Sequence, residues 1–113
     1  MSEKTLRVAV GADHGGVEIK DAVVTALKSA GYEVTDFGTH AHESVNYADY
    51  GNKVAVVVAD ETVDFGVLCC TSGVGMAITA NRYRGVRAAN VRSVEEATTT
   101  REHNDSNVLC LGA

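Results

Sequence analysis

A cysteine followed by a glycine-rich turn is the stretch of this sequence best suited to chemistry, at Cys70-Thr71-Ser72-Gly73-Val74-Gly75. A strand that ends at Cys70 and runs into a helix would expose backbone N–H groups and a positive potential, which suit an oxyanion or a phosphate. The same surroundings lower the pKa of a nearby thiol, so Cys70 could act as a base or a nucleophile. A buried cysteine beside a tight turn explains the pattern equally well. A P-loop is excluded, because Met76 stands where its lysine belongs.

Two other groups of titratable residues are candidates, and each has a simpler explanation. In Asp13-His14-Gly15-Gly16, a strand-to-helix turn could aim both side chains at a ligand, but on this pattern alone a role for Asp13 in capping the helix is favoured. In Arg101-Glu102-His103-Asn104-Asp105, His103 could be a general acid or base, but a histidine in a polar loop is more often just solvated. No metal site is predicted, because the cysteines and histidines lack the close paired spacing of zinc ligands.

Composition narrows the classes of protein. The chain has 113 residues, the usual size of one domain, so we expect a single domain over residues 1–113. Its net charge of −5 argues against a nucleic-acid surface, and its apolar runs are too short to span a membrane. Three cysteines, two of them adjacent, do not form a disulfide framework and fit a reduced, cytoplasmic location.

Strand-like and helix-like segments alternate along the chain. Apolar runs predict strands at 6–11, 32–37, 64–70, 86–91 and 107–111. Helices are predicted at 17–30, 48–60, 74–83 and 95–103, the last of them polar and with weak periodicity. In the first helix the apolar positions are expected inside and Lys20 on the wet side; these apolar positions are Val17, Ala22, Val23, Ala26, Leu27 and Ala30. The alternation predicts an α/β fold, a Rossmann-like three-layer domain with a five-stranded parallel sheet and helices on both faces.

The carboxyl ends of parallel strands form the usual ligand-binding edge of such a sheet. Three segments follow strands and are therefore expected there: 11–16, 70–75 and the region near Asn90. His103 precedes the last strand, so the same argument does not place it at this edge.

Taken together, these segments resemble the type B ribose-5-phosphate isomerases and the related galactose-6-phosphate isomerase subunits. The resemblance covers nearly the whole chain and rests on segments in the same order and spacing. They are 11–16, Asp36-Phe37-Gly38-Thr39, Asn46-Tyr47-Ala48-Asp49-Tyr50, 70–75, Ala80-Asn81, Gly85-Val86-Arg87-Ala88 and 101–107.

The resemblance implies an aldose–ketose isomerase of the pentose phosphate pathway that works through an enediolate, with no metal or organic cofactor. It also implies a homodimer or higher homo-oligomer with active sites between subunits. Cys70 matches the catalytic base, Ser72 the hydroxyl that assists proton transfer, and His103 the acid/base that opens the sugar ring. The amides of Gly73, Val74 and Gly75 match the anion hole. The remaining matches are substrate-binding positions: Asp13, His14, Tyr47, Asn81 and Asn104.

Departures from the family pattern leave alternatives open. Thr71 replaces a usual glycine, and the arginine, helix and basic tail that follow the last strand in the family are not found here, so an exposed apolar face is expected. Those parts supply phosphate-binding arginines, for which Arg87 and Arg92 are the candidate substitutes. Ribose 5-phosphate is the first candidate substrate. The others are galactose 6-phosphate, an unphosphorylated aldose, or sugar binding without catalysis.

Overall fold

The computed structural model describes residues 5–40 and 46–113. In that part of the chain, strands and helices alternate as the periodicity predicts. The strands are β1 Arg7–Ala12, β2 Glu33–Gly38, β3 Phe65–Cys70, β4 Ala88–Asn90 and β5 Val108–Gly112. The helices are α1 Val17–Ser29, α2 Tyr47–Ala59, α3 Val74–Ala80 and α4 Val94–Asn104, and a single 3-10 turn at His14–Gly16 precedes α1.

All five strands are parallel and lie in the order β2-β1-β3-β5-β4, which confirms the predicted α/β fold with β3 at the centre. Right-handed crossovers place α1 and α4 on one face and α2 and α3 on the other. The order in which successive strands are added to the sheet reverses between β1 and β3, where Ala12 pairs with Cys69. That reversal is where α/β sheets bind ligands, beyond the carboxyl ends of the strands. We call this side of the sheet the carboxyl edge.

Apolar side chains pack on both faces of the sheet. The larger cluster lies under α2 and α3 and includes Val54, Leu68 and Met76, all fully buried. The smaller one lies under α1 and contains Val8, Val10 and Val24. The core is therefore built mainly from valine, alanine and cysteine, which lets helices approach the strands closely.

The first helix contradicts the sequence-based expectation for Lys20, which was assigned to the wet side. Lys20 is fully buried, whereas Ala22 and Ala26 are exposed. Burial is tolerated because the ammonium group lies 3.0 Å from Asp36 Oδ2 and 2.7 Å from Asp21 Oδ1. A buried charge that is paired in this way avoids most of the cost of leaving water.

The region around β4 is shorter than the sequence predicts. Helix α3 ends at Ala80 rather than Tyr83, and β4 contains three residues rather than six. The side chain of Asn81 explains both differences, because it accepts a hydrogen bond from Ala88 N and donates one to Ala88 O, each at 2.8 Å. It thereby pairs with the free edge of β4 in place of a sixth strand.

An apolar groove runs between α1 and α4, over β3 and β5. It encloses about 330 Å³ and is lined by side chains that include Leu6, Leu27, Phe65, Val67 and Leu109. Helix α4 has no buried residue and covers little of the sheet. The face on which the sequence predicts exposed apolar surface is therefore open. None of the helices in the described part of the chain is both long and apolar enough to cross a membrane.

Candidate active site

Cys70 is the last residue of β3 and its thiol points towards the start of α3. The side chain is buried, with 5% exposed, and the backbone N–H of Gly73 donates a hydrogen bond to Sγ at 3.0 Å. A donor aimed at sulfur stabilises it when it carries a negative charge. Gly73 has a φ of 84°, a left-handed conformation that glycine adopts without strain. The turn between Cys70 and α3 therefore holds the donor in place.

The other two cysteines, Cys69 and Cys110, are buried thiols that resist deprotonation. Burial raises the pKa of Cys69 to about 12, and burial likewise raises the pKa of Cys110 to about 12. All three thiols are free rather than paired in disulfides. At neutral pH Cys69 and Cys110 stay protonated, so Cys70 is the cysteine suited to reaction.

Of the backbone N–H groups at the start of α3, two donate hydrogen bonds to side chains within the chain. Gly73 N is bound to the Cys70 sulfur, and Val74 N donates to Ser72 Oγ at 3.2 Å. The first N–H groups of a helix have no partner within the helix, which leaves those of Gly75 and Met76 facing the site. An anion at this position could bind to Gly75 N and Met76 N. The anion hole at Gly73, Val74 and Gly75 stays a prediction, with Gly73 N and Val74 N already bound to side chains.

Asp13 and His14 lie beside Cys70 because the 3-10 turn packs directly on β3. Asp13 N donates to Cys69 O at 3.2 Å, and a Cβ on Gly16 would overlap the backbone of Cys69. Asp13 Oδ1 accepts from Gly15 N at 2.9 Å, which is the capping role. The cap uses one carboxylate oxygen, and the turn places the other at the carboxyl edge.

Tyr47 reaches the same place from α2. It is the first residue of that helix, and its side chain lies against Gly75, where a Cβ would come 2.9 Å from Tyr47 Cε2. The residue is 42% exposed, so its ring borders the open side of the site. The structure thus brings together Asp13, His14, Tyr47, Cys70, Ser72 and the amides at the start of α3.

His103 and Asn104 are not part of that group. Helix α4 begins after β4 at the carboxyl edge and runs back, so both residues lie at the opposite edge, where Asn104 O accepts from Arg87 Nε at 2.6 Å. The length of β5 separates the two edges, about 15 Å at 3.3 Å per residue. Asn81 is also occupied elsewhere, since both polar atoms of its amide bind Ala88.

Two residues near the site were not singled out from the sequence. Lys20 shares a helical face with Val17 and Val24, three and four residues away, and this spacing is the signal that could have revealed its burial. Asn90 lies at the end of β4, with Oδ1 buried and without a hydrogen-bond partner in the described part of the chain. A Cβ on Gly73 would come 2.6 Å from that oxygen, so Asn90 packs directly behind the turn.

The arrangement joins a thiol, a hydroxyl, a carboxylate and unpaired amides at one edge of a parallel sheet. Such a set can move a proton and stabilise an oxyanion. Among the residues that the structure describes, no three His, Cys, Asp or Glu side chains cluster as metal ligands. The fold and site together define an α/β domain with acid–base groups at the carboxyl edge of its sheet.

Comparison with known proteins gives the family. Residues 8–113 match the ribose/galactose isomerase family model. The chain is 40% identical to ribose-5-P isomerase B of Listeria innocua over 96% of this chain and 73% of that protein. It is 37% identical to a galactose-6-phosphate isomerase subunit of Clostridium acetobutylicum, over 93% of this chain and 61% of that protein.

Solved structures agree with the sequence matches. A ribose-5-phosphate isomerase B from Clostridium thermocellum superposes with a TM-score of 0.93 at 46% identity, over 95% of this chain and 72% of that one. The chain therefore belongs to the ribose/galactose isomerase family. It is an intramolecular oxidoreductase, an aldose–ketose isomerase that acts on sugar phosphates.

Proposed function

We propose that this chain interconverts ribose 5-phosphate and ribulose 5-phosphate through an enediolate, with Cys70 as the base. The hydrogen bond from Gly73 N to the Cys70 sulfur carries the proposal, because it stabilises the thiolate that the reaction needs. The thiolate removes the proton from C2 of the open-chain aldose and returns it to C1. The bonding electrons of the C2–H bond form the enediolate in between.

The groups around Cys70 supply the remaining functions at the carboxyl edge. Ser72 accepts a hydrogen bond from Val74 N and keeps its own O–H to pass a proton between O1 and O2 of the sugar. The amides of Gly75 and Met76 stabilise the enediolate oxygen. Asp13 binds a sugar hydroxyl through the oxygen that does not cap the turn. These proton transfers require only side chains and backbone amides.

Ring opening is the role that the resemblance gives to His103, which one chain does not bring to Cys70. His103 is exposed at the opposite edge of the sheet, so we assign it to the site of a second copy. Val74 and Ile78 support such a dimer, because they lie one turn apart on α3 beside the site and are 47% and 62% exposed. Apolar side chains at this spacing form a surface suited to burial against another subunit. The functional unit is then a homodimer with shared active sites.

The chain acts as one isomerase domain over residues 1–113, in the cytoplasm, where reducing conditions keep its three thiols free. The similarity to a galactose-6-phosphate isomerase subunit supports a second candidate substrate, galactose 6-phosphate. A panel of ribose 5-phosphate, galactose 6-phosphate and free ribose separates these substrates from each other and from binding without turnover.

The deciding experiment compares the purified chain with its Cys70→Ala variant in the formation of ribulose 5-phosphate. We expect turnover by the original chain and its loss in the variant, because alanine cannot take the proton. Ser72→Ala serves as the matched comparison and should slow turnover without abolishing it. Circular dichroism checks that each variant is folded. Full activity in a folded Cys70→Ala variant would refute the mechanism.

A further inference from the structure

Positive charge is distributed unevenly between the two edges of the sheet. Each helix runs antiparallel to the strands. Residues at the C-terminal ends of the helices and at the starts of the strands therefore lie at the edge opposite the site. That edge carries most of the lysines and arginines in the described part of the chain: Arg7, Lys28, Arg82, Arg84, Arg87 and Arg101. Lys53 lies midway along α2, over the ring of Tyr50. The carboxyl edge is therefore poor in exposed cations, although the expected substrate is an anion.

Only two of the described lysines and arginines lie at the carboxyl edge, Lys20 and Arg92. Lys20 is fully buried between carboxylates and cannot meet a ligand. Arg92 is exposed, two residues beyond β4. The acidic chain as a whole repels an anion, so binding requires a positive charge near the site. Among the described residues of one chain, Arg92 is the exposed cation at the carboxyl edge, so it is the candidate to supply that charge.

The backbone of Arg92 is fixed while its side chain is available. Arg92 N donates to Glu96 Oε1 at 2.6 Å, and Ser93 Oγ caps α4 by accepting from Glu96 N at 3.1 Å. Within the described residues, the Arg92 guanidinium makes no hydrogen bond or ion pair. It can therefore bind a ligand without first breaking an internal contact.

Continuous contacts connect Arg92 to the candidate site. Arg92 lines a groove that also includes Ile19, Leu111 and Gly112. Gly112 lies against Ser72, since a Cβ there would come 2.8 Å from Ser72 O, and Ala113 N donates to Cys70 O at 2.9 Å. Strand β4 is two strands away from β3, which is about 10 Å at the usual strand spacing. A phosphorylated sugar that lies across the ends of β5 and β4 would span this distance.

We propose that Arg92 binds the phosphate group of the substrate while the reacting carbons lie at Cys70. The proposal rests on the proposed isomerase function and deepens it by naming the residue that selects phosphorylated sugars. A guanidinium can pair with phosphate through two parallel N–H···O bonds, which fixes orientation as well as adding affinity. Of the two arginines that the sequence left open, Arg87 is already engaged, since its Nε donates to Asn104 O at 2.6 Å. The geometry thus selects Arg92.

Arg92→Gln tests the proposal, with Arg84→Gln as the matched control at an exposed position on the opposite edge. We expect Arg92→Gln to raise KM for ribose 5-phosphate about 10–100-fold, the loss typical of a charged hydrogen bond, with little change in kcat. Turnover of unphosphorylated ribose should be the same in both variants and the original chain. An unchanged KM for ribose 5-phosphate in folded Arg92→Gln would overturn the assignment.

Calorimetric titration with inorganic phosphate separates this proposal from the proposed function. The original chain and Arg84→Gln should bind phosphate, and Arg92→Gln should bind it about 10-fold more weakly or not at all. If the original chain binds phosphate through Arg92 but does not isomerise ribose 5-phosphate, the proposed function fails and the phosphate site stands. Equal phosphate affinity in all three proteins would refute the role of Arg92 whatever the turnover.

Discussion

Replacing Lys20 by methionine tests how the candidate site is held in place. The ammonium group is fully buried and lies 3.0 Å from Asp36 Oδ2 and 2.7 Å from Asp21 Oδ1. Methionine keeps an apolar stem of similar length but leaves the carboxylate of Asp36 without its cation. Removing one partner of a buried pair costs about 3–5 kcal/mol of unfolding free energy. The side chains of Asp36 and Asp21 are 23% and 64% exposed, so we expect a smaller loss, about 2 kcal/mol.

The effect should extend to the site through a short series of hydrogen bonds. Asp36 Oδ1 accepts from Gly38 N at 2.9 Å, and Thr39 N donates to Ala12 O at 2.7 Å. Ala12 directly precedes Asp13, so the ion pair helps to hold the turn that places Asp13. We therefore expect Lys20→Met to raise KM as well as to lower stability.

A double-mutant cycle in urea unfolding measures the interaction directly. Lys20→Met, Asp36→Asn and the double variant are compared, with Lys28→Met as the control at an exposed position of the same helix. In thermal unfolding, Lys20→Met should lower Tm by roughly 8 °C. In urea, the double variant should lose at least about 1 kcal/mol less unfolding free energy than the sum of the losses in the two single variants. Additive losses within about 0.5 kcal/mol would show that the pair does not stabilise the fold.

The pH dependence of the unfolding free energy tests whether the charged form of Lys20 stabilises the fold. Burial alone would lower the pKa of Lys20, but hydrogen bonds and charge interactions with Asp21 and Asp36 outweigh it, so the pKa is raised above 10.5. A group with a raised folded pKa stabilises fully below its unfolded pKa and loses that contribution as pH rises through the folded value. The stability difference between the original chain and Lys20→Met should therefore change little between about pH 8 and 10, where Asp21 and Asp36 are ionised, and shrink above 10.5.

Two further predictions follow from the thiols and from the open face of the sheet. Iodoacetamide at neutral pH should modify Cys70 alone, because Cys69 and Cys110 have pKa values of about 12, and mass spectrometry should find one adduct in the original chain and none in Cys70→Ala. Two adducts on the folded chain would contradict this. The groove between α1 and α4 should drive self-association, and Leu109→Lys should reduce the particle size seen by light scattering. A Leu109→Lys variant with the same particle size as the original chain would exclude the groove as the contact.

Periodicity was enough to predict the elements of the fold. All five strands and four helices lie close to where the sequence predicts them, although α4 is polar and has little periodicity, and their alternation predicts the parallel sheet. The ends near β4 were wrong because they depend on Asn81, which binds Ala88 across a turn. Contacts between residues that are not neighbours in sequence leave no periodic signal. The position of β5 between β3 and β4 has the same cause.

The site residues that follow strand ends could be predicted from the sequence. The position of a long side chain such as that of Lys20 could not, because it depends on contacts with another strand. Asp13, Cys70 and Ser72 follow strands, so the topology of a parallel sheet brings them to one edge. The expectation that Lys20 lies in water is wrong, because its spacing from Val17 and Val24 puts it on the buried face of α1 despite its charge. The burial of Lys20 depends on Asp36, which belongs to another strand.

The separation of His103 from Cys70 allows the proposed dimer to be tested by complementation. Cys70→Ala and His103→Ala should each be inactive, because each removes one group from every site. If sites are shared, a mixed dimer contains one site with both groups intact. Unfolding and refolding an equal mixture should make half of the dimers mixed, each with one working site of two, and restore about a quarter of the original activity. Refolding each variant alone is the control. A mixture that stays inactive while forming dimers by light scattering would show that His103 does not complete a partner's site.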